Sequence, residues 1–433
     1  MPCRNHRLRA LAPLAIAALA LSSCGDDDVE EPRRGQSGPI EIVIGNSVPL
    51  SGELRRFGPD AKTAGRLAKE QIEKAIKKAG VDDRVELITV DNGSKPAKAA
   101  QTAQELIDDG ADCIVGPWGG PDTLTVAREV AVPQHITLIS PAATLDELTD
   151  LTDSGLINRT AAPDSAQGKA LASAIADDLG GADGRTVNVG ARDDAYGETL
   201  ASAFISAWKK EGGKVGSWVT YDVDREAPGA IAKDLAKGKP DATAIFDFPS
   251  SFAKLAPALI STRGYDPART WAADLLASTD LPGEVPDAAI EGLRGTLPSA
   301  PLSSPATTAF LDLFASRGSD SPRPFAAQTF DAVILCYLAA VASGSSDPAG
   351  IGPAVPAVSS PEGKKFTWEQ LPKAIKVLGK GKEIDYQGAS GPLDIDVHGD
   401  PTAATYDIYQ FSGDAILLVD QVSIGGGGSR GAE

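Results

Sequence analysis

From Glu41 to Ala273 the chain alternates short β-rich runs with amphipathic helical stretches, and this rhythm limits the fold more than any other feature. Runs such as Glu41–Ser47, Val85–Val90, Asp112–Gly116, Ile136–Ile139 and Thr186–Gly190 are bounded by Gly, Pro or Asp. Each is followed by a segment with apolar residues at helical spacing, which argues for parallel sheets covered on both faces and joined by right-handed crossovers. The clearest helix runs from Pro59 to Ala79, with Ala61, Ala64, Ala68, Ile72, Ala75, Ile76 and Ala79 on one face. Pro59 suits its first turn and Gly80 its stop.

The same pattern predicts helices at Lys98–Asp108, Thr123–Val132, Ser165–Leu179, Gly197–Lys210, Ile231–Ala236 and Phe252–Ser261. It predicts further strands at Lys214–Tyr221, Ala242–Phe248 and Thr270–Ala273. So many strands crowd a single open sheet, and an ordered length of roughly 390 residues exceeds one core. Two lobes, each with its own sheet, fit better. After residue 280 the rhythm gives way to the Pro- and Ser-rich stretch Leu281–Pro305. A long helix begins near Phe325, another covers Trp368–Leu378, and β-like pieces follow at Gly391–Val397, Thr405–Gln410 and Ala415–Val422.

The N-terminus carries an address. Arg4, Arg7 and Arg9 precede an apolar run from Leu11 to Leu21, about half the length a membrane span needs. Leu21-Ser22-Ser23-Cys24 resembles a bacterial lipobox, in which the Cys sulfur is acylated and becomes the new N-terminus. Residues 1–23 are thus expected to be a signal peptide, and 24–39 a lipidated, disordered tether spanning about 20 Å. Removing the signal takes three of the 41 Lys and Arg and none of the 59 acids, so the mature charge becomes −21. Such a chain repels phosphate backbones, which excludes nucleic acid as a partner. Of the remaining cysteines, Cys113 falls in a buried strand and Cys336 in an apolar helix. Export permits a disulfide between them, but spacing does not establish the required approach, and two buried free thiols are expected. With only His6, His135 and His398 and no metal-ligand spacing, neither a metal site nor a cofactor is expected. No Ser elbow at a strand-to-helix turn and no Cys–His pair suggest an enzyme.

Ligands of open parallel sheets bind beyond the carboxyl ends of the strands, beside helix N-termini. Four turns there stand out: Pro49-Leu50-Ser51-Gly52 running to Phe57-Gly58-Pro59, Gly116-Pro117-Trp118-Gly119-Gly120-Pro121, Ser140-Pro141-Ala142-Ala143-Thr144, and Asp193-Asp194-Ala195-Tyr196-Gly197. With Asp91 before Lys95-Pro96, Phe330-Asp331-Ala332, and Tyr386-Gln387-Gly388-Ala389-Ser390-Gly391-Pro392-Leu393-Asp394, these resemble the leucine/isoleucine/valine-binding proteins, solute-binding components of ABC importers. The resemblance runs from about residue 41 to about 422. It implies an α/β periplasmic binding protein of type I, with two Rossmann-like lobes joined by a three-stranded hinge. Lobe 1 would be 40–161 plus 296–385 and lobe 2 162–295 plus 386–422, with crossings near Thr160, Gly295 and Gly388 and a flexible tail at 423–433.

The resemblance also implies a ligand site. The Ala142 amide and the Thr144 amide and hydroxyl would hold a carboxylate; the alternative role for Thr144 is to cap a helix from Leu145. Tyr196 would close over the ligand from lobe 2, Phe57 would flank it from lobe 1, and Asp274 would pair with an ammonium. Three departures blur the solute. Gly120 stands where relatives commonly have a Ser whose hydroxyl binds the carboxylate, Trp118 is larger than its counterparts, and Ser250 falls near where leucine binders carry an aromatic. The implied protein is a monomer outside the cytoplasm, anchored to the bacterial cell membrane by Cys24. It would capture an amino acid or a related small carboxylate or amide and deliver it to an ABC permease. A ligand-sensing subunit of a membrane receptor is the alternative, and an α/β enzyme a more distant one.

Overall fold

The computed structural model describes residues 38–301, 304–317 and 324–425. Cys24, the signal and all but the last residues of the tether lie outside these, as does the chain beyond residue 425.

The predicted alternation builds two sheets. Strands β1 (Glu41–Val48), β2 (Arg84–Asp91), β3 (Cys113–Val115), β4 (Thr137–Ser140) and β5 (Ile157–Arg159) form a parallel sheet in the order β2-β1-β3-β4-β5. The chain then lays down β6 (Thr186–Arg192), β7 (Lys214–Tyr221), β8 (Ala242–Phe246), β9 (Thr270–Ala272) and β10 (Arg294–Ser299). A small sheet of β11 (Lys364–Thr367), β12 (Ile384–Gly388) and β13 (Gly391–Pro392) follows. The chain returns with β14 (Ala403–Ser412) and β15 (Ala415–Gly425), completing a seven-stranded sheet ordered β15-β14-β10-β9-β8-β6-β7. Helices cover both main sheets, and the chain has two lobes. The second sheet is mixed, because β14 and β15 join it antiparallel.

Local chemistry explains the accurate boundaries. The helix Gly58–Ala79 has Pro in its first turn and ends at Gly80, whose left-handed backbone brings its N–H to the Ile76 carbonyl. The apolar face read from sequence is its buried face. The Thr123–Val132 prediction resolves into an α-helix at Gly120–Val126 and a wider π-turn at Ala127–Ala131.

Several elements depart from the sequence pattern. β5 is only three residues long, too short to show a period. β10 lies inside the stretch read as irregular, although it contains Pro298. The Gly391–Val397 piece shrinks to Gly391–Pro392, while β15 extends to Gly425, into residues expected as tail.

The helix Ala326–Ser343 is almost wholly buried, which explains its unusually apolar composition. It packs against the first sheet and carries Cys336, which is bonded to Cys113 of β3 with Cα atoms 6.1 Å apart. This corrects the expectation of two free thiols: strand and helix lie 223 residues apart in sequence, and only their packing brings the sulfurs together. At the start of that helix Asp331 accepts from the Ala389 amide at 2.8 Å, the Tyr386 hydroxyl at 2.8 Å and the Ser390 amide at 2.8 Å. A Cβ at Gly388 would approach its carboxylate to 2.3 Å. The Phe-Asp-Ala and Tyr-Gln-Gly-Ala-Ser motifs are thus two halves of one buried joint.

Candidate functional site

The four turns singled out in the sequence all meet at one cleft between the two main sheets. Their positions follow from topology, since each leaves the carboxyl end of a parallel strand. Asp91 ties the first turn down, accepting from the Ser51 amide at 3.0 Å and its hydroxyl at 2.6 Å. Gly116 starts the second turn at φ 93°, where a Cβ would sit 2.2 Å from the Ser47 carbonyl oxygen, so no other residue fits. In the third, the Ser140 hydroxyl donates to the Pro117 carbonyl at 2.7 Å and accepts from the Ala143 amide at 3.1 Å. In the fourth, Asp194 caps the helix Ala195–Lys210 by accepting from the Gly197 amide.

A cavity of about 190 Å³ lies where these turns converge. From the first lobe Phe57, Trp118, Gly120, Ala142 and Thr144 line it; from the second come Tyr196 and Asp274. Ser250 does not belong to it. That residue is exposed on the first turn of the helix Pro249–Ser261, and the aromatic that faces the cavity is Phe248, two residues earlier. The strand β8 ends at Phe246, so Phe248 stands at the mouth while Ser250 has already turned away.

The walls are aromatic. Phe57 stacks on Trp118 with ring centroids 6.0 Å apart, and Phe325 meets Trp118 edge-on at 5.9 Å. Tyr196 and Phe248 pack at 5.1 Å on the other side. Phe325 holds φ at 66°, a left-handed backbone that costs a bulky residue about 1–3 kcal/mol and that packing against Trp118 helps to impose. Nothing local in the sequence marks Phe325 as a wall.

The Ser140–Thr144 loop is shaped by a residue that sequence reasoning missed. Arg159, buried at the end of β5, donates to the Ala143 carbonyl at 3.3 Å and the Leu145 carbonyl at 2.9 Å. Its charge is met by Asp400 at 2.6 Å. Because a trans peptide sets C=O and N–H in opposite directions, holding the Ala143 carbonyl toward Arg159 turns the Thr144 amide away from it. Among the described residues neither the Ala142 nor the Thr144 amide has an acceptor. Thr144 does not cap a helix from Leu145; the short 3₁₀ turn there is Asp146–Leu148, with no side-chain cap. Gly120 is also explained. A Cβ there would come within 2.5 Å of the Leu145 side chain, so Leu145 fills the space a Ser would need.

The acids of the cleft are held in unusual states. Tyr196 donates its hydroxyl to Asp274 at 2.9 Å and Gln167 adds a longer bond at 3.3 Å. Burial nonetheless raises the Asp274 pKa, and burial beside Asp274 pushes the Tyr196 phenol well above its usual range. Asp164, behind Thr144, is lifted to about 6 by burial, against hydrogen bonds from Thr144 and Thr199. Asp122, in the first turn after Gly120, is raised to about 7 by burial alone. Across the cleft Arg192 bonds Glu53 at 2.9 Å, also pairs with Asp194, and lies 3.8 Å over the Phe248 ring. Arg56 reaches from the first lobe to Ser278 at 2.6 Å.

Two sheet-bearing lobes with a small, aromatic-walled cavity between them are the architecture of a solute-binding protein. The family model for periplasmic binding proteins matches residues 41–368, and the chain belongs to that family. The chemotactic signal transduction system substrate-binding protein BasB of Halobacterium salinarum is 25% identical over 360 residues, 82% of this chain and 83% of BasB. Among solved structures, the fold resembles the branched-chain amino acid transporter substrate-binding protein LivJ from Streptococcus pneumoniae, in complex with isoleucine. That match has a TM-score of 0.69 and 20% identity, covering 88% of this chain and 99% of the other. It also resembles an ABC transporter solute-binding protein from R. palustris in complex with benzoate, with a TM-score of 0.66 and 19% identity over 89% and 97% of the two chains.

Proposed function

We propose that this chain is an extracytoplasmic capture protein that closes its two lobes around a small organic solute and passes it to an ABC permease. The solute is an amino acid or a related small carboxylate or amide. The observation that carries this reading is the single cavity joining Ala142 and Thr144 of one lobe to Tyr196 and Asp274 of the other. A ligand there touches both lobes, which is what allows it to shift an open–closed equilibrium. Two or three charge-assisted contacts with an aromatic wall are enough for the roughly −8 kcal/mol of a micromolar complex. The isoleucine and benzoate complexes of the similar folds support a solute of this size, and no chemistry is assigned to it. A lipid on Cys24 would keep the capture protein beside its membrane partner.

A thermal-shift panel of amino acids, amides and aromatic acids tests the proposal. Members of that panel should raise the melting temperature, and Thr144→Ala and Tyr196→Ala should each shrink the shift. A sugar that raises melting while the whole panel stays silent would sink it. Cys24→Ala should bind solute normally yet leave the membrane fraction. The name of BasB favours a second reading, a sensor that hands its closed form to a membrane receptor. Crosslinking the membrane-bound protein and identifying a permease or a receptor decides between the two.

A further inference from the structure

The charge balance of the cavity is lopsided. Its lining includes the carboxylates of Glu53, Asp122, Asp194 and Asp274 and no Lys, Arg or His. Arg192 answers Glu53 and Asp194 from just outside. Asp274 is met by neutral donors, the Tyr196 hydroxyl, the Gln167 amide and the backbone N–H groups of its own turn. Asp122 stands apart: it is 5% exposed, lines the cavity, and has no hydrogen bond or ion pair among the described residues. The Trp118 ring contributes only its apolar surface to the same wall. The Trp118 indole N–H is buried without an acceptor.

An unpaired buried carboxylate is costly, and a native fold keeps one where a ligand completes it. An orphan carboxylate that opens on one small space describes the complement that fills it. Five aromatic rings surround that space, and their faces attract cations. A free carboxylic acid would add a negative charge beside Asp122 and Asp274, whereas an ammonium would neutralise one of them.

Building on the proposed solute-binding role, we propose that the cleft selects a net-cationic amino compound with a neutral oxygen, such as an amino amide. Its ammonium N–H donates to Asp122 and its carbonyl oxygen accepts from the free Ala142 or Thr144 amide. Asp122 is then the residue that sets specificity, and simple amino acids and amine-free acids are second-best ligands. A bound cation offsets the cost that burial places on the charged form of Asp122.

The test is calorimetric titration of the whole chain with leucinamide, leucine and 4-methylpentanoate, which share one side chain and pass from cation through zwitterion to anion as the amide becomes a carboxylate and the amine is removed. Leucinamide should bind at least about tenfold more tightly than leucine, with 4-methylpentanoate weakest. Asp122→Asn should erase that preference by weakening leucinamide about tenfold while sparing or improving the two acids. Asp122→Ser, small and uncharged, is the second variant should the Asn form fold poorly, and unliganded melting reports the folding of both. Leucine or 4-methylpentanoate binding more tightly than leucinamide overturns the inference and leaves the capture role standing. An unchanged ratio in a folded Asp122 variant does the same. Silence of all three solutes overturns the inference as well, and the capture role falls with it only if the wider panel is silent too.

Discussion

Reducing the Cys113–Cys336 bond should destabilise the first lobe by several kcal/mol. The two half-cystines are 223 residues apart, so the cross-link removes a very large loop from the unfolded ensemble. The chain-entropy relation gives about 5 kcal/mol at 25 °C for a loop of that length, and native disulfides commonly contribute about 2–4. Neither sulfur is accessible in the folded chain, because β3 and the helix Ala326–Ser343 bury both. Reductant alone should therefore act slowly on the native state and fully only after unfolding. The assay is thermal melting of the chain from residue 38, which lacks Cys3 and Cys24, before and after reduction of the unfolded protein and refolding with the reductant kept present. The midpoint should fall on the order of 5–10 °C. The Cys113→Ala/Cys336→Ala variant should melt near the reduced protein, with about 1 kcal/mol or more of extra loss from the missing sulfur packing. Two alkylated cysteines in protein denatured without reductant would refute the bond itself. An unchanged midpoint after verified reduction would refute the energetic reasoning.

Asp122 should also shape the pH profile. Its folded pKa of about 7 lies above the ordinary 3.8, so between those values the native state holds a proton that the unfolded state has lost. Stability contributed by this group therefore falls as pH rises from about 4 to about 7 and is level above, with an upper bound of about 4 kcal/mol. Asp122→Asn should match the parent near pH 4 and exceed it at pH 8, measured by urea unfolding; a variant less stable at pH 8 would contradict this. Asp331→Ala leaves the Ala389 and Ser390 amides and the Tyr386 hydroxyl without their acceptor and should cost about 3 kcal/mol or more in the same assay. Arg192→Ala removes the cross-cleft bond to Glu53, a half-exposed pair worth at most about 1 kcal/mol. Solute dissociation measured by stopped flow should quicken no more than about fivefold; a change of a hundredfold would mean that Arg192 touches the solute.

Much of the site was legible because its residues sit on turns with local signatures. Asp194 and Gly197 act through neighbours a few residues away, Gly116 and Ser140 act in part through the turns they start, and such signals survive in a single sequence. Arg159 was not legible: its partners Asp400 and the Ala143 and Leu145 carbonyls come from separate segments, and an Arg closing a short strand looks like any surface charge. Phe248 and Ser250 show the finest limit. Whether the aromatic or the Ser faces the cleft turns on where β8 stops, and a two-residue uncertainty in that end exchanges one for the other.

The sequence by itself determined the alternation of strands and helices, the two-lobed class and the turns at which a solute would sit. It could do so because periodicity, glycine geometry and capping act over a few residues. Tertiary structure alone decided the Cys113–Cys336 bond, the antiparallel return of β14 and β15, and the wall formed by Phe325. It also decided that Asp122 stands in the cleft without a partner. Each of these depends on which distant segments meet, and contacts across hundreds of residues leave no period in the chain to read.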